Sequence, residues 1–527
     1  MKSRAVIAAA AVAMVGALAA CGGQATSASS GTSGNQPSGT AGNQTSAPAK
    51  AGGVLTVGSA TAIDILNPVT KSTAMDQNLF SLMWDGLVTQ DQSNKIVPDL
   101  ATSWSASSDQ KTWTFKLRPG VKFSNGKSLT SADVVSTIKY YQNPNTATQL
   151  KNNVAPITSV TASGPDTVVF TLSAPDALFP QSIVQVKIID TGAMSTMESD
   201  PAVTGPFKVK SFAANNHLDL VPNPDYFGTK PKLSGINFAL AADSSSAVTA
   251  LQAGSLDALW SVPLSQVAAL GANPNLQVIK PAVIGQYVSW EVDTTAPPFN
   301  NVKAREALAY AIDQKSILKA AYSGQGTVST TNDPLADNNP DYGGNLTNYS
   351  YNLTKAKQLF AEAGVKPGAT ITWWGVSNQY PEWNVSGEIL QASLKQIGIN
   401  LKIQNTDIST WPTKFYPAGK SFPNMIVPNF QSYTSSPQDE FQFVLKGRCE
   451  CNWNNAAFDS AYATAISSPD PAKQKAAWNQ AQELVNQQAP IYVPVQFATV
   501  SAAKSDVGGI WVDSTGTIHL ENAYFTG

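Results

Sequence analysis

Residues 96–141 read IVPDLATSWSASSDQKTWTFKLRPGVKFSNGKSLTSADVVSTIKYY, and this stretch decides the fold. Trp113, Phe115 and Leu117 alternate with Thr114, Lys116 and Arg118, the period of two that puts one face of a strand into a core. Pro119-Gly120 turns the chain, Val121–Phe123 is expected as a second short strand, and Asn125-Gly126 signals the next turn. Thr130 then suits a helix cap, with Asp133 three residues on and Val134, Val135 and Ile138 as the buried stripe.

The order Pro-x-Leu-Ala-x-x-Trp, then Trp-Thr-Phe-x-Leu-Arg-x-Gly-Val-x-Phe-x-x-Gly, then Ala-Asp-Val-Val runs from Pro98 to Val135. It resembles the signature of the peptide-type (family 5) extracellular solute-binding proteins of ABC importers. Further matches to that family are Thr204-Gly-Pro-Phe207, Asn223-Pro-Asp-Tyr-Phe-Gly228 and the helix end Leu251–Asp257. The second strong block is Pro298–Asp313, where Asn301 can cap a helix with Ala304, Leu308, Ala311 and Ile312 on one face. Thr354 is expected to cap a helix that stops at Gly364. A helix carrying Leu390, Leu394 and Ile397 stops at Gly398 before the alternating Ile399, Leu401 and Ile403. Asp470-Pro471 opens the last long helix.

Repeated alternation of helix and strand argues for an α/β class. The resemblance implies a two-lobed periplasmic-binding-protein-like fold of type II, the peptide-binding cluster, with an extra domain in the first lobe. The implied divisions are domain I at 51–87, 206–284 and 491–527, domain II at 88–205 and domain III at 285–490. Ligand would lie between domains I and III, in a cleft that closes by hinge motion.

The 527 residues suffice for several domains. Only 13% are charged, about half the usual share, and the net charge is −2. No basic stripe exists, so no nucleic-acid partner is expected. Residues 1–20 carry Lys2 and Arg4 before an uncharged apolar run, the pattern of a signal peptide. Leu18-Ala19-Ala20-Cys21 resembles the lipobox of bacterial lipoproteins, which implies lipidation of Cys21 and a place on the outer face of the cytoplasmic membrane. Residues 21–50 are Ser, Thr, Gly, Gln, Asn, Pro and Ala with Lys50 the only charge, too polar to bury a core, and read as a flexible tether.

The other cysteines form Cys449-Glu450-Cys451, a bridge across one residue being tight but open to an extracellular protein. His217 and His519 lie far apart, so no metal site is expected, and no cofactor. No nucleophile elbow, His-Glu-x-x-His or phosphate loop is present, so no catalytic residue is assigned and the chain does not read as an enzyme.

Binding residues follow from the resemblance position by position. Trp411, in Trp-x-x-x-Phe at the start of a helix, matches an aromatic that lies against the ligand in the family. Phe430 keeps the aromatic of the family's Gly-Trp-x-x-Asp-Tyr block, while Tyr433 stands where peptide binders carry the acid that pairs with a peptide's amino terminus. An unpaired buried ammonium is costly, so the lost acid keeps a neutral, oligosaccharide-like ligand open beside an oligopeptide. Asp439 and Glu440 follow six and seven residues on. Ser72 and Thr73, Tyr287 and Trp290 are the remaining cleft candidates, and of Trp373 and Trp374 at most one can face the cleft. The expected partners are the solute, the permease subunits of an ABC importer and, through the lipid, the membrane; a monomer is the family default. A ligand sensor not coupled to transport is the alternative.

Overall fold

The structure, a computed structural model, describes residues 48–527 except 61–62, 71–73, 149, 377–379, 416–419 and 433–435. Ser72, Thr73, Tyr433 and Cys21 therefore lie outside the described residues, as do the leader and most of the tether.

Two seven-stranded mixed sheets organise the chain. In the first, the strands run in the order 276–279, 501–504, 258–259, 54–59, 235–240, 217–222 and 207–213. Val54–Ser59 is parallel to both of its neighbours. In the second the order is 327–328, 495–497, 286–291, 425–432, 370–376 and 400–406, with 491–492 beside 286–291. Here 370–376 is parallel to both neighbours. The parallel strands 370–376 and 400–406 are joined through helix Pro381–Gln396, as a parallel connection requires.

The quoted stretch folds into a separate four-stranded antiparallel sheet in the order 101–106, 112–117, 167–172 and 157–162. Trp113, Phe115 and Leu117 face inward as their alternation predicts, and Trp113 pairs with Phe170 across the sheet. Helix Ser131–Gln142 follows. The Asp133 carboxylate accepts hydrogen bonds from the Thr130 N–H at 2.8 Å and its Oγ1 at 2.9 Å, and Lys127 bridges Asp133 and Asp190 at 2.6 and 2.7 Å. The expected strand Val121–Phe123 does not form. Lys122 makes an isolated bridge to Ser128, and Val121 and Phe123 are buried by a tight loop instead of a sheet.

Two further expectations are corrected. Asn352, not Thr354, caps helix Leu353–Glu362, accepting from the Lys355 N–H at 3.0 Å. Residues 491–497 pair with Gln286–Glu291 and so belong to the second sheet, where the sequence placed a return to domain I at 491. One hydrophobic core runs from Val57 and Ile236 beneath the first sheet to Phe115, Val134 and Phe170 beneath the four-stranded one. The first lobe is thus a single cored body that carries the extra sheet. The second sheet has cores of its own on its two faces. Cys449 and Cys451 are joined by a disulfide, their α-carbons 5.0 Å apart.

Candidate ligand-binding site

The chain crosses between the two large sheets twice. Leu276–Ile279 lies in the first and Gln286–Glu291 in the second; Val495–Phe497 lies in the second and Ser501–Lys504 in the first. Residues 280–285 and 498–500 are therefore the crossings, side by side, and Leu264 packs against apolar cores of both bodies. In open α/β sheets ligands bind outside the carboxyl ends of the parallel strands. In the second sheet those ends are Val376, Thr406 and Ser432.

An aromatic array occupies them. Helix Pro381–Gln396 follows the first of these strands and brings Trp383; Trp411–Phe415 follows the second and brings Trp411 and Phe415; the third carries Phe430. Tyr380 stacks between Trp383, at 4.6 Å and 13°, and Phe430, at 6.2 Å and 10°. Trp411 lies 5.3 Å from Trp383 and 4.4 Å from Phe415, which meets Trp374 edge-on at 5.6 Å. Beyond Phe430 the array reaches Phe497 at 6.1 Å and then Tyr322 at 4.9 Å. The Lys414 ammonium sits 3.2 Å over the Trp374 ring, a favourable placement of charge on a π face. Burial pushes the Glu382 carboxyl, in the first turn of the helix, above the usual range.

Phe430 is half-buried within this array, but Trp411 is 1% exposed and forms part of the core beside Phe415 and Phe422. It offers no open face. Tyr287 and Trp290, expected in the cleft, are each 1% exposed. Alternation along Gln286–Glu291 sends Tyr287 into one interior face, against Phe443, and Trp290 into the other, edge-on to Trp373 at 4.8 Å. Trp373 is fully buried and Trp374 half-buried, as one strand face in and one out requires. Tyr380, Trp383 and Phe497 were not expected from the sequence. The signal that could have found them is Tyr380-Pro-Glu-Trp383, four residues past the end of a buried strand.

A second cleft, of about 770 Å³, lies between residues 152–182 of the extra domain and 438–466 of the other lobe. The bodies touch at its edge, where Ala177 N–H donates to Ile466 O at 2.6 Å and Gln438 Nε2 to Ser182 Oγ at 3.0 Å. Asp439 lines it, and burial pushes the Asp176 carboxyl beside it to about 6 against the Leu178 N–H, Ser182 and Gln438. Glu440 is buried. Elsewhere in this lobe, burial and the neighbouring Glu450 hold Glu291 well above the usual range. Among the described residues, no cluster of His, Cys, Asp and Glu suits a metal ion, and no helix is long and apolar enough to cross a membrane.

The sequence model described as "Bacterial extracellular solute-binding proteins, family 5 Middle" matches residues 95–449, well over half of the sequence. The chain belongs to that family. Solved structures of binding proteins share its fold. The substrate-binding protein CtaP of Listeria monocytogenes superposes with a TM-score of 0.79 at 22% identity, over 91% of this chain and 100% of that one. A dipeptide-binding protein of Pseudoalteromonas sp. SM9913, solved with Met-Leu, gives 0.75 at 22% over 90% and 100%. In sequence, the glutathione-binding protein GsiB of Salmonella typhi is 27% identical over 487 residues, 88% of this chain and 93% of that one. As a family 5 solute-binding protein, the chain is a receptor and not an enzyme.

Proposed function

We propose that this family 5 protein is the lipid-anchored capture subunit of an ABC import system, holding an oligopeptide or related solute between its lobes and delivering it to the permease. The observation that carries the reading is the pair of adjacent crossings at 280–285 and 498–500, the connection a two-lobe hinge needs, with an aromatic array at the strand ends beyond it. Relatives named for glutathione and for a dipeptide support a small peptide as the solute class. Leu-Ala-Ala-Cys21 and the uncharged stretch after it support an anchor and leash; a lipid with more than one acyl chain holds stably where one is marginal. Trp411, Phe430 and Tyr433 are the residues carried over from the family as solute contacts, and Ser72 and Thr73 are cleft candidates in the loop after the first strand.

The second reading, a neutral non-peptide solute, is favoured by Tyr433 at the position of the family's acid. A thermal-shift screen decides between them. A solute that binds only the folded state adds about 2.7 kcal/mol of stability at a hundredfold excess over its Kd. Di- to pentapeptides are expected to raise the midpoint. If N-acetylated peptides do so equally, the amino terminus is not being paired; if only glycans do, the peptide reading falls. Cys21→Ala is expected to release the protein from the membrane fraction.

A further inference from the structure

The second cleft, between the extra domain and the other lobe, holds chemistry that the aromatic array does not use. Asp176 lines it from the extra domain and Asp439 from the other lobe. The donors that reach the Asp176 carboxylate are neutral: the Leu178 N–H at 2.8 Å, Ser182 Oγ at 3.4 Å and the Gln438 amide. Among the described residues no cation pairs with it, and burial, with Asp439 facing it, pushes its pKa to about 6. The cleft's own cation, Arg448, reaches Gln442 Oε1 at 3.5 Å instead. Gln438 spans the lobe boundary. Its Nε2 donates to Ser182 Oγ at 3.0 Å, while its Oε1 is buried and has no hydrogen-bond partner. The Tyr462 hydroxyl fixes that residue by donating to Gln438 O at 3.0 Å. Phe179, Phe443 and Ile466 supply an apolar wall.

The Asp176 carboxylate thus lacks a counter-charge, and Gln438 Oε1 lacks a donor. Two carboxylates that face each other repel when both ionise, and a buried one without an opposite charge is costly. A cation between them removes both penalties, and an N–H on that cation also serves Gln438 Oε1. We propose that this cleft is a second binding site, which takes an alkylammonium group between Asp176, Asp439 and Gln438 Oε1. Its acids come from different bodies, so the site is complete only while Ala177 and Ile466 keep the lobes in contact, and an occupant holds them there. The group has two sources, a free amine or the ammonium of a peptide. The site lies apart from the aromatic array and stands without the solute-receptor reading.

The test uses the full chain and three probes, putrescine, Met-Leu and N-acetyl-Met-Leu, read by thermal midpoint and titration calorimetry. With a free amine as the occupant, putrescine raises the midpoint. With a peptide ammonium, Met-Leu raises it and the acetylated form binds more weakly. In either case Asp176→Asn and Asp439→Asn are each expected to weaken that probe roughly 10-fold, and Glu362→Gln, exposed on another helix, to leave it unchanged. Wild-type affinity is expected to fall as pH drops through about 6, where Asp176 takes up a proton. Asp439, Arg448 and Tyr462 are the other ionisable groups that line the cleft and face it. A probe that binds both asparagine variants as tightly as the wild type overturns the inference and leaves the receptor reading standing. No rise with putrescine or Met-Leu overturns it as well. Where an asparagine variant does not fold, the wild-type pH profile decides: affinity that is flat from pH 8 to pH 5 overturns the inference.

Discussion

Asp333 shows how one side chain sets a pH dependence. Its Oδ1 accepts from the Leu335 N–H at 2.8 Å, its Oδ2 is buried without a partner, and burial pushes its pKa from 3.8 to about 8. The folded state holds this proton more tightly than the unfolded chain does. Its contribution is therefore full below 3.8 and is lost as pH rises through about 8. Asp333→Asn is expected to raise the urea midpoint at pH 8 and to change little at pH 4. No such environment can be read from Asn-Asp-Pro-Leu in sequence, because burial is supplied by segments far along the chain; Gln496 reaches the Asp333 carbonyl from 163 residues away. The same blindness explains Trp411. A position in a motif gave its place at the start of a helix, but whether it presents a face or sits in a core depends on Trp383 and Phe422, which are not its sequence neighbours.

Elements were legible where their signals are local. Thr112–Leu117, the Asn301-capped helix Val302–Ala311 and the Asp470-capped helix Pro471–Gln488 stand where alternation and caps put them. Thr354 misled because Asn352, two residues earlier, is the better acceptor for an N-terminal N–H. Asn352→Ala is expected to cost about 1 kcal/mol in chemical denaturation and Thr354→Ala clearly less. The C-terminal hairpin carries a second pH effect. His519 stacks on Trp511 at 3.6 Å and contacts Asp513 and Glu521 at 3.1 and 3.5 Å. Burial alone would lower its pKa, but the two carboxylates outweigh it and raise the ring to about 9. Its contribution is complete below 6.5 and lost as pH rises through about 9. His519→Gln is expected to lower the thermal midpoint at pH 6, with the difference shrinking above pH 9.

At the scale of the whole molecule, the family signature foretold two lobes, and the chain passes from the first sheet to the second between Ile279 and Gln286. It misplaced the return at 491, since a strand's partner is set by register and not by order along the chain. The contact from Ala177 to Ile466 and from Gln438 to Ser182 lies away from the crossings and bridges the lobes. Ile466→Arg is expected to open them, seen as a larger radius of gyration in small-angle scattering, with a bound solute restoring the smaller value. An unchanged radius would mean that this contact does not hold the lobes together.

Ala49–Lys50 pairs with Phe525–Thr526, whose other neighbour is Val507–Gly508, and Phe525 packs on the core of the first lobe. Both ends of the folded chain are thus riveted to one body. A pull arriving through the residues before Pro48 loads that body alone and never crosses 280–285 or 498–500. Were the protein anchored as proposed above, tension arriving through Pro48 would do no work against a swing of the other lobe.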